Sequence, residues 1–216
     1  MFPNTIVFID AGHGAINKAG QYTTAPAKMF RHSKGTFHQG STFLEGVWNR
    51  TVTNQVMRKL DVLGITYRAL HHEYLDNSLQ QRVDAVNWYA KQFERSIVVS
   101  SHANASATQA ARGFEIYTSP GTTESDKIAS IHWNHVNLLR NFYPLGAQIR
   151  MRNQASGGDH DNEANFFILR KTNVPAILIE HLFFDNFDDA TLLMDDSVVD
   201  LFAEAQVRTI IEYFNA

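Results

Sequence analysis

Thr5-Ile6-Val7-Phe8-Ile9-Asp10-Ala11-Gly12-His13-Gly14 reads as a strand that runs without a break into a histidine held between two glycines. The glycines let the backbone turn sharply, which presents the imidazole at the carboxyl edge of the strand, where parallel sheets bind ligands. Ile97-Val98-Val99-Ser100-Ser101-His102-Ala103-Asn104 repeats the design: an apolar run, small residues, then a histidine. Pro175-Ala176-Ile177-Leu178-Ile179-Glu180 is a third such strand, and it ends in a carboxylate. A carboxylate after a buried strand is costly unless it is paired, metal-bound or catalytic. These runs predict strands near 5–9, 96–101 and 176–181, and two more are expected near 65–70 and 113–118.

Between the strands the period changes. Val47, Val52, Val56, Leu60 and Leu63 recur at helical spacing and stop at Gly64, a suitable residue just past a helix end, which predicts a helix over 46–63. Ser78-Leu79-Gln80-Gln81 opens another with a serine cap and a glutamine three residues on, and Leu79, Val83, Val86 and Ala90 give it a buried face as far as Phe93. Further helices are expected over 124–142, 163–171 and 197–214. Short β-branched runs alternating with amphipathic segments are the signature of βα units, so the fold class is α/β with a mostly parallel sheet. Two stretches lack periodicity, 14–44 and 144–162, the second carrying Ser156-Gly157-Gly158-Asp159-His160-Asp161. Loops this long in a compact domain are commonly functional.

Composition narrows the functions. A chain of 216 residues has room for one compact domain, taken as 1–216, and its 44% hydrophobic residues supply a core. Nineteen Lys+Arg against 22 Asp+Glu give a formal charge of −3, no field for a polyanion, so no nucleic-acid partner is expected. The absence of cysteine excludes disulfides, thiolate-held metals and a thiol nucleophile, which leaves the histidines and carboxylates to hold any metal. Met1-Phe2-Pro3-Asn4 leads straight into the first strand with no basic or long apolar leader, so no signal peptide is expected. No apolar run approaches the ~20 residues that cross a bilayer, and no membrane insertion is expected.

Glu45 closes the first long loop at the start of the 46–63 helix, where the helix dipole favours a negative charge. Taken singly, His13, His102, Glu45 and Glu180 each have an ordinary structural explanation; together, at strand ends and a helix start, they converge on one crevice. Two imidazole nitrogens and one carboxylate oxygen make a catalytic zinc set with a position left for water, and the remaining glutamate is free to handle protons. The residues alone leave open which glutamate does which. His32 and His38 in the long loop are not expected to be ligands, and His132 and His135, three apart on a helix, are read as solvated residues of a helix face.

Six segments then occur in a familiar order: Phe8-Ile9-Asp10-Ala11-Gly12-His13-Gly14, Glu45, Ser78-Leu79-Gln80-Gln81-Arg82-Val83, Val99-Ser100-Ser101-His102-Ala103-Asn104, Ala111-Arg112-Gly113-Phe114-Glu115-Ile116-Tyr117, and the stretch from Leu169 to Glu180. Over nearly the whole chain they resemble the zinc-dependent N-acetylmuramoyl-L-alanine amidases of the Amidase_3 family, in the manner of a phage endolysin. The resemblance implies a phosphorylase/hydrolase-like, three-layer αβα fold with a twisted, mostly parallel, roughly six-stranded sheet. It implies Zn2+ as the cofactor, His13, Glu45 and His102 as its ligands, and Glu180 as the catalytic general base. The implied substrate is peptidoglycan or a muropeptide, cut at the amide between N-acetylmuramic acid and L-alanine. Competing readings are a zinc peptidase that cuts within the stem peptide and a non-catalytic wall-binding module on the same fold.

Arg112, just before a strand, is expected to bind a substrate carboxylate, and Asp10 or Glu115 to hold the far nitrogen of a metal-bound imidazole. Beyond Glu180 the chain departs from the Thr-Gly-Phe-Leu-Ser-Asn of many members and reads His181-Leu182-Phe183-Phe184-Asp185-Asn186. The expected protein is a monomer that waits in the cytoplasm until released to the cell wall, as in phage lysis, or else the catalytic domain of a secreted parent.

Overall fold

A computed structural model of the chain describes residues 2–152 and 160–216. In chain order its elements are β1 (Thr5–Ala11), β2 (Met29–Arg31), β3 (Thr42–Leu44), α1 (Glu45–Leu63), β4 (Tyr67–Ala69), α2 (Leu79–Tyr89), β5 (Arg95–Asn104), β6 (Glu115–Thr118), α3 (Glu124–Leu139), β7 (Asn162–Glu163), α4 (Phe167–Lys171), β8 (Ala176–Phe183), α5 (Phe187–Leu193) and α6 (Asp196–Asn215). The main sheet has six strands in the order β4-β1-β5-β8-β6-β7. The first four of these run parallel, β6 lies antiparallel against β8, and β7 runs parallel to β6 at the edge.

The period of two along the central strands sorts side chains between two helical layers. Val7 and Ile9 of β1, Ile97 and Val99 of β5, and Ile177 and Ile179 of β8 join the larger core with α1, α3 and α6. Their alternates, Ile6, Phe8, Val98, Ala176 and Leu178, meet Val86 of α2 and Ile168 and Leu169 of α4. Each fully buried side chain of this kind contributes about 1.5–3 kcal/mol. Carried past the apolar run, the same period puts Asp10, Ser100, His102 and Glu180 on the α2/α4 side as the strands end. Because β1 is flanked by β4 on one side and β5 on the other, chain direction reverses there, which opens a crevice at the carboxyl ends of the strands.

Helix termini follow local chemistry. Ser78 and Gln81 form a reciprocal capping box at the start of α2, and Gly64 ends α1 at φ 64°. Several elements differ from their sequence reading. The 14–44 stretch contains the β2/β3 hairpin, whose three-residue strands are too short to show a period. Residues 163–171 are not one helix: β7 ends at Glu163 and α4 has five residues. The predicted strand at 113–118 is shorter and antiparallel, α3 stops at Leu139, and α5 is additional. Of the second long stretch, Gly146–Gln148 form a 3-10 turn, while Ser156-Gly157-Gly158-Asp159 lie outside the described residues. Among the described residues no helix is long and apolar enough to cross a membrane.

Candidate active site

Backbone close approach builds the site. A Cβ on Gly12 would lie 2.0 Å from Cε1 of His102, so the ring of His102 occupies the space that a side chain there would fill. A Cβ on Gly46 would lie 1.8 Å from the carbonyl oxygen of Gly14; only glycine lets the first turn of α1 come near enough to deliver Glu45. His13 itself adopts φ 65°, the left-handed region that a side chain disfavours. Two buried arginines hold it there. Arg50 Nη2 donates to His13 O at 2.8 Å and Arg82 Nη2 at 3.5 Å, while Arg50 Nη1 donates to Gly46 O at 2.9 Å. A single guanidinium thus ties the His13 turn to the residue that follows Glu45. Arg82 is fixed in turn by Asp10 and by Ala11 O at 2.7 Å, and Asp10 also accepts from Ser100 Oγ at 2.7 Å. Burial alone would raise the Asp10 carboxyl, but Arg82 and Ser100 hold it below the usual range.

Three donor atoms meet above this frame. His13 Nε2 is 3.2 Å and His102 Nδ1 3.1 Å from Glu45 Oε1, and the three side chains each offer an atom within 4.8 Å of the others. Donors about 2.0–2.1 Å from a tetrahedral zinc lie about 3.3 Å apart, so the spacing fits one such cation. Glu45 is only 1% exposed, and its Oε2 is buried with no hydrogen-bond partner. Burial would raise the Glu45 carboxyl, yet hydrogen bonds to His102 and His13 keep it well below the carboxylate range; burial lowers the His102 imidazole. An ionised carboxylate and a neutral imidazole are the forms that bind a metal. No other group of this kind occurs among the described residues.

Glu180 completes the set through strand register. It pairs with His102 across β5/β8 and with Glu115 across β6/β8. Its Oε2 is buried and unpartnered. Burial, then the charges of Glu45 and Glu115, push its carboxyl well above the usual range, against the pull of Lys28. His13, His102, Glu180 and Lys28 line one cleft of about 570 Å³, together with the apolar Leu79, Phe166 and Leu178.

A family model described as N-acetylmuramoyl-L-alanine amidase matches residues 7–212. The chain belongs to this family. The endolysin of Bacillus phage SPP1 is 31% identical over 125 residues, 55% of this chain but only 40% of the endolysin, so the chain spans less than half of that relative. The N-acetylmuramoyl-L-alanine amidase CwlM of Bacillus licheniformis is 26% identical over 215 residues, 97% of this chain and 68% of CwlM. Among solved structures, the N-acetylmuramoyl-L-alanine amidase of Clostridium difficile 630 superposes with a TM-score of 0.72 at 22% identity, covering 98% of this chain and 97% of that one. The sheet and its flanking helices are therefore the amidase fold.

Within this amidase fold the structure brings together His13, Glu45, His102 and Glu180, and leaves Arg112 elsewhere. Arg112 Nε donates to Asp189 Oδ1 at 2.9 Å and Nη1 to Asp188 Oδ2 at 2.7 Å, and it is not among the residues lining the cleft. Its guanidinium anchors the start of α5, which removes the reason for giving it a substrate carboxylate. Asp10 is engaged by Arg82 and Ser100, and Glu115 by Arg152, Asn104 and Tyr117. His32 donates from Nε2 to Phe184 O, and His38 Nδ1 accepts from Leu44 N. His132 is not on a solvated face as its spacing suggested: it is fully buried against α6, where it contacts Thr209, and His135 contacts Glu212. Sequence reasoning missed Arg50, Lys28 and His181 as site residues. His181, fully buried, donates from Nδ1 to His102 O at 2.9 Å and accepts at Nε2 from Gln206 at 3.1 Å. Burial pushes its imidazole down to about 3. The departure from the common motif just after Glu180 was the visible signal of this support.

Proposed function

We propose that the chain is a zinc-dependent hydrolase of the amide between N-acetylmuramic acid and L-alanine in peptidoglycan, residues 1–216 forming one catalytic domain that works as a monomer. The observation that carries this reading is the convergence of His13, Glu45 and His102 at metal-ligand spacing, with Glu180 beside them in the same cleft. All four side chains come from one chain, so no second copy is needed. Family membership supports the choice of bond.

Zinc held by His13, Glu45 and His102 would polarise the scissile carbonyl and lower the pKa of water from ~15.7 to about 7. Glu180 supplies the proton traffic. It accepts a proton from the attacking water as oxygen adds to the carbonyl carbon, then returns that proton to the alanine nitrogen as the C–N bond breaks. The products are a lactyl carboxylate on the sugar and a free alanine amine. Leu79, Phe166 and Leu178 keep one side of the cleft apolar, which strengthens these charge interactions. Likeness to a phage endolysin supports a lytic role, with the enzyme released from the cytoplasm to the wall.

Chelator-treated protein is expected to release no stem peptide from purified walls, and zinc to restore release. Mass spectrometry of the products decides the bond: a free lactyl carboxylate with a new amino-terminal alanine is expected. Cuts between amino acids would instead mark a peptidase, and co-sedimentation with walls without soluble product would mark a binding module.

A further inference from the structure

The cleft holds more acid than base. Asp10, Asp76 and Glu180 line it, and of the two arginine or lysine side chains among its described lining residues, Arg82 is already engaged. Its donors reach Asp10, Asp76 and the carbonyls of Ala11, His13 and Asn77. Lys28 differs. Its ammonium lies 3.6 Å from Glu45 Oε2, and its side chain is 40% exposed. That separation is beyond hydrogen-bond range, and the carboxylate concerned is a proposed metal ligand, so a bound cation supplies its counter-charge and leaves Lys28 facing the cleft. The root of the side chain is nevertheless fixed. Tyr22 donates its hydroxyl to Lys28 O at 2.9 Å and accepts from Gly46 N at 2.9 Å, which ties the Pro26–Lys28 turn to the first turn of α1.

We propose that Lys28 recognises the free α-carboxylate of D-isoglutamate, the second residue of the stem peptide, and so favours stems in which that group is not amidated. This rests on the amidase reading above. Along an extended stem that carboxylate lies about 7 Å from the scissile carbonyl, two residues at ~3.5 Å each, within reach of a lysine rooted beside Glu45. Leu79, Phe166 and Leu178, which also line the cleft, offer an anion no side-chain donor. A half-exposed ammonium with one loose contact suits a standing charge on a ligand; a developing oxyanion needs donors already locked in place.

The test is read in binding, with zinc-loaded Glu180→Gln protein titrated calorimetrically with N-acetylmuramoyl-L-alanyl-D-isoglutamate and with its D-isoglutamine amide. The acid is expected to bind about tenfold more tightly, as one charge-assisted hydrogen bond at a half-exposed site allows. Adding Lys28→Met is expected to bring the ratio near one, and adding Lys28→Arg to keep most of it, with zinc stoichiometry unchanged throughout. Equal affinity for the two ligands before Lys28 is altered, no measurable binding of either, or a ratio that survives Lys28→Met overturns the proposal. In the active enzyme the preference is expected in KM; an equal fall in kcat on both substrates for Lys28→Met assigns the residue to the oxyanion and also overturns it. Retention of the binding preference, with zinc-loaded protein of unaltered sequence cleaving neither compound, would count against the amidase reading and for the role of Lys28.

Discussion

Two buried polar clusters share the carboxyl end of β1, and they are completed differently. Around Asp10 the charges are matched inside the protein: Arg82 and Ser100 meet its carboxylate, and the remaining donors of Arg82 and Arg50 reach backbone carbonyls. Three residues further on begins a second cluster, in which Glu45 Oε2 and Glu180 Oε2 are buried without a hydrogen-bond partner. An unpartnered buried polar atom costs about 1–3 kcal/mol, so a fold keeps several together only where something else holds the backbone in place. The saturated cluster provides that hold, since its two arginines grip the His13 carbonyl. One cluster is a fixture, and the other has the donors and spacing that could hold a metal ion.

Removing members of the unsaturated set gives the largest expected effects. His13→Ala is expected to lose both zinc and turnover. Glu180→Gln should keep one zinc per chain, measured by elemental analysis, yet lose about 10²–10⁴-fold in kcat, the usual share of a general acid–base group. Loss of zinc from Glu180→Gln would make that residue a ligand and erase its separate role.

The saturated set should respond in stability instead. Arg82→Met leaves Asp10 buried without its counter-charge and is expected to cost about 3–5 kcal/mol in urea unfolding of the metal-free protein. Glu180→Gln, by contrast, should leave the metal-free protein as stable or more so, because it removes a carboxylate that burial and the charges of Glu45 and Glu115 disfavour. Arg112 belongs with the fixtures: Arg112→Ala is expected to destabilise the chain through Asp189, which is fully buried, while leaving KM for muropeptides unchanged.

A buried imidazole away from the cleft gives a smaller, pH-dependent effect. His132 lies between α3 and α6, and burial, then the neighbouring His181 and His135, push it down to about 3. The unfolded chain binds a proton there near pH 6.5 and the folded one does not, so stability falls as pH drops below 6.5. From pH 7 to pH 5 the loss from this group is about 2 kcal/mol, at ~1.4 kcal/mol per pH unit. His132→Gln is expected to reduce the difference between urea midpoints at the two pH values by that amount; an unchanged difference would show that His132 titrates normally. Smallest is the cap of the helix that carries Arg82. Ser78→Ala should cost about 1 kcal/mol with zinc affinity intact.

The sequence displayed the reaction site better than the frame around it. His13, His102 and Glu180 each end an apolar run, a local signal, and Glu45 sits at a helix start that the spacing of Val52, Val56 and Leu60 already marks. Arg50 and Lys28 carry no such mark. Arg50 acts on His13 from 37 positions away, and the meaning of Lys28 depends on Tyr22 and on where α1 docks. The same reason explains Arg112: its place before a strand was visible, but its aspartates lie 76 and 77 positions later. Among elements, α5 was announced by Asn186 followed by Asp188 and Asp189, a cap and acidic first turn that follow the strand too closely to stand out. The two-residue β7 gave no pattern at all.

Contact between Gly46 and Gly14 also bears on the order of assembly. Neighbouring strands β1 and β5 bring the two imidazoles together, but the third donor arrives only when α1 seats backbone against backbone on the turn after β1. A chain whose first long helix has come loose from that turn would offer only the two nitrogens. If zinc is the cofactor, as proposed above, its tight uptake would follow this docking and report that it is finished.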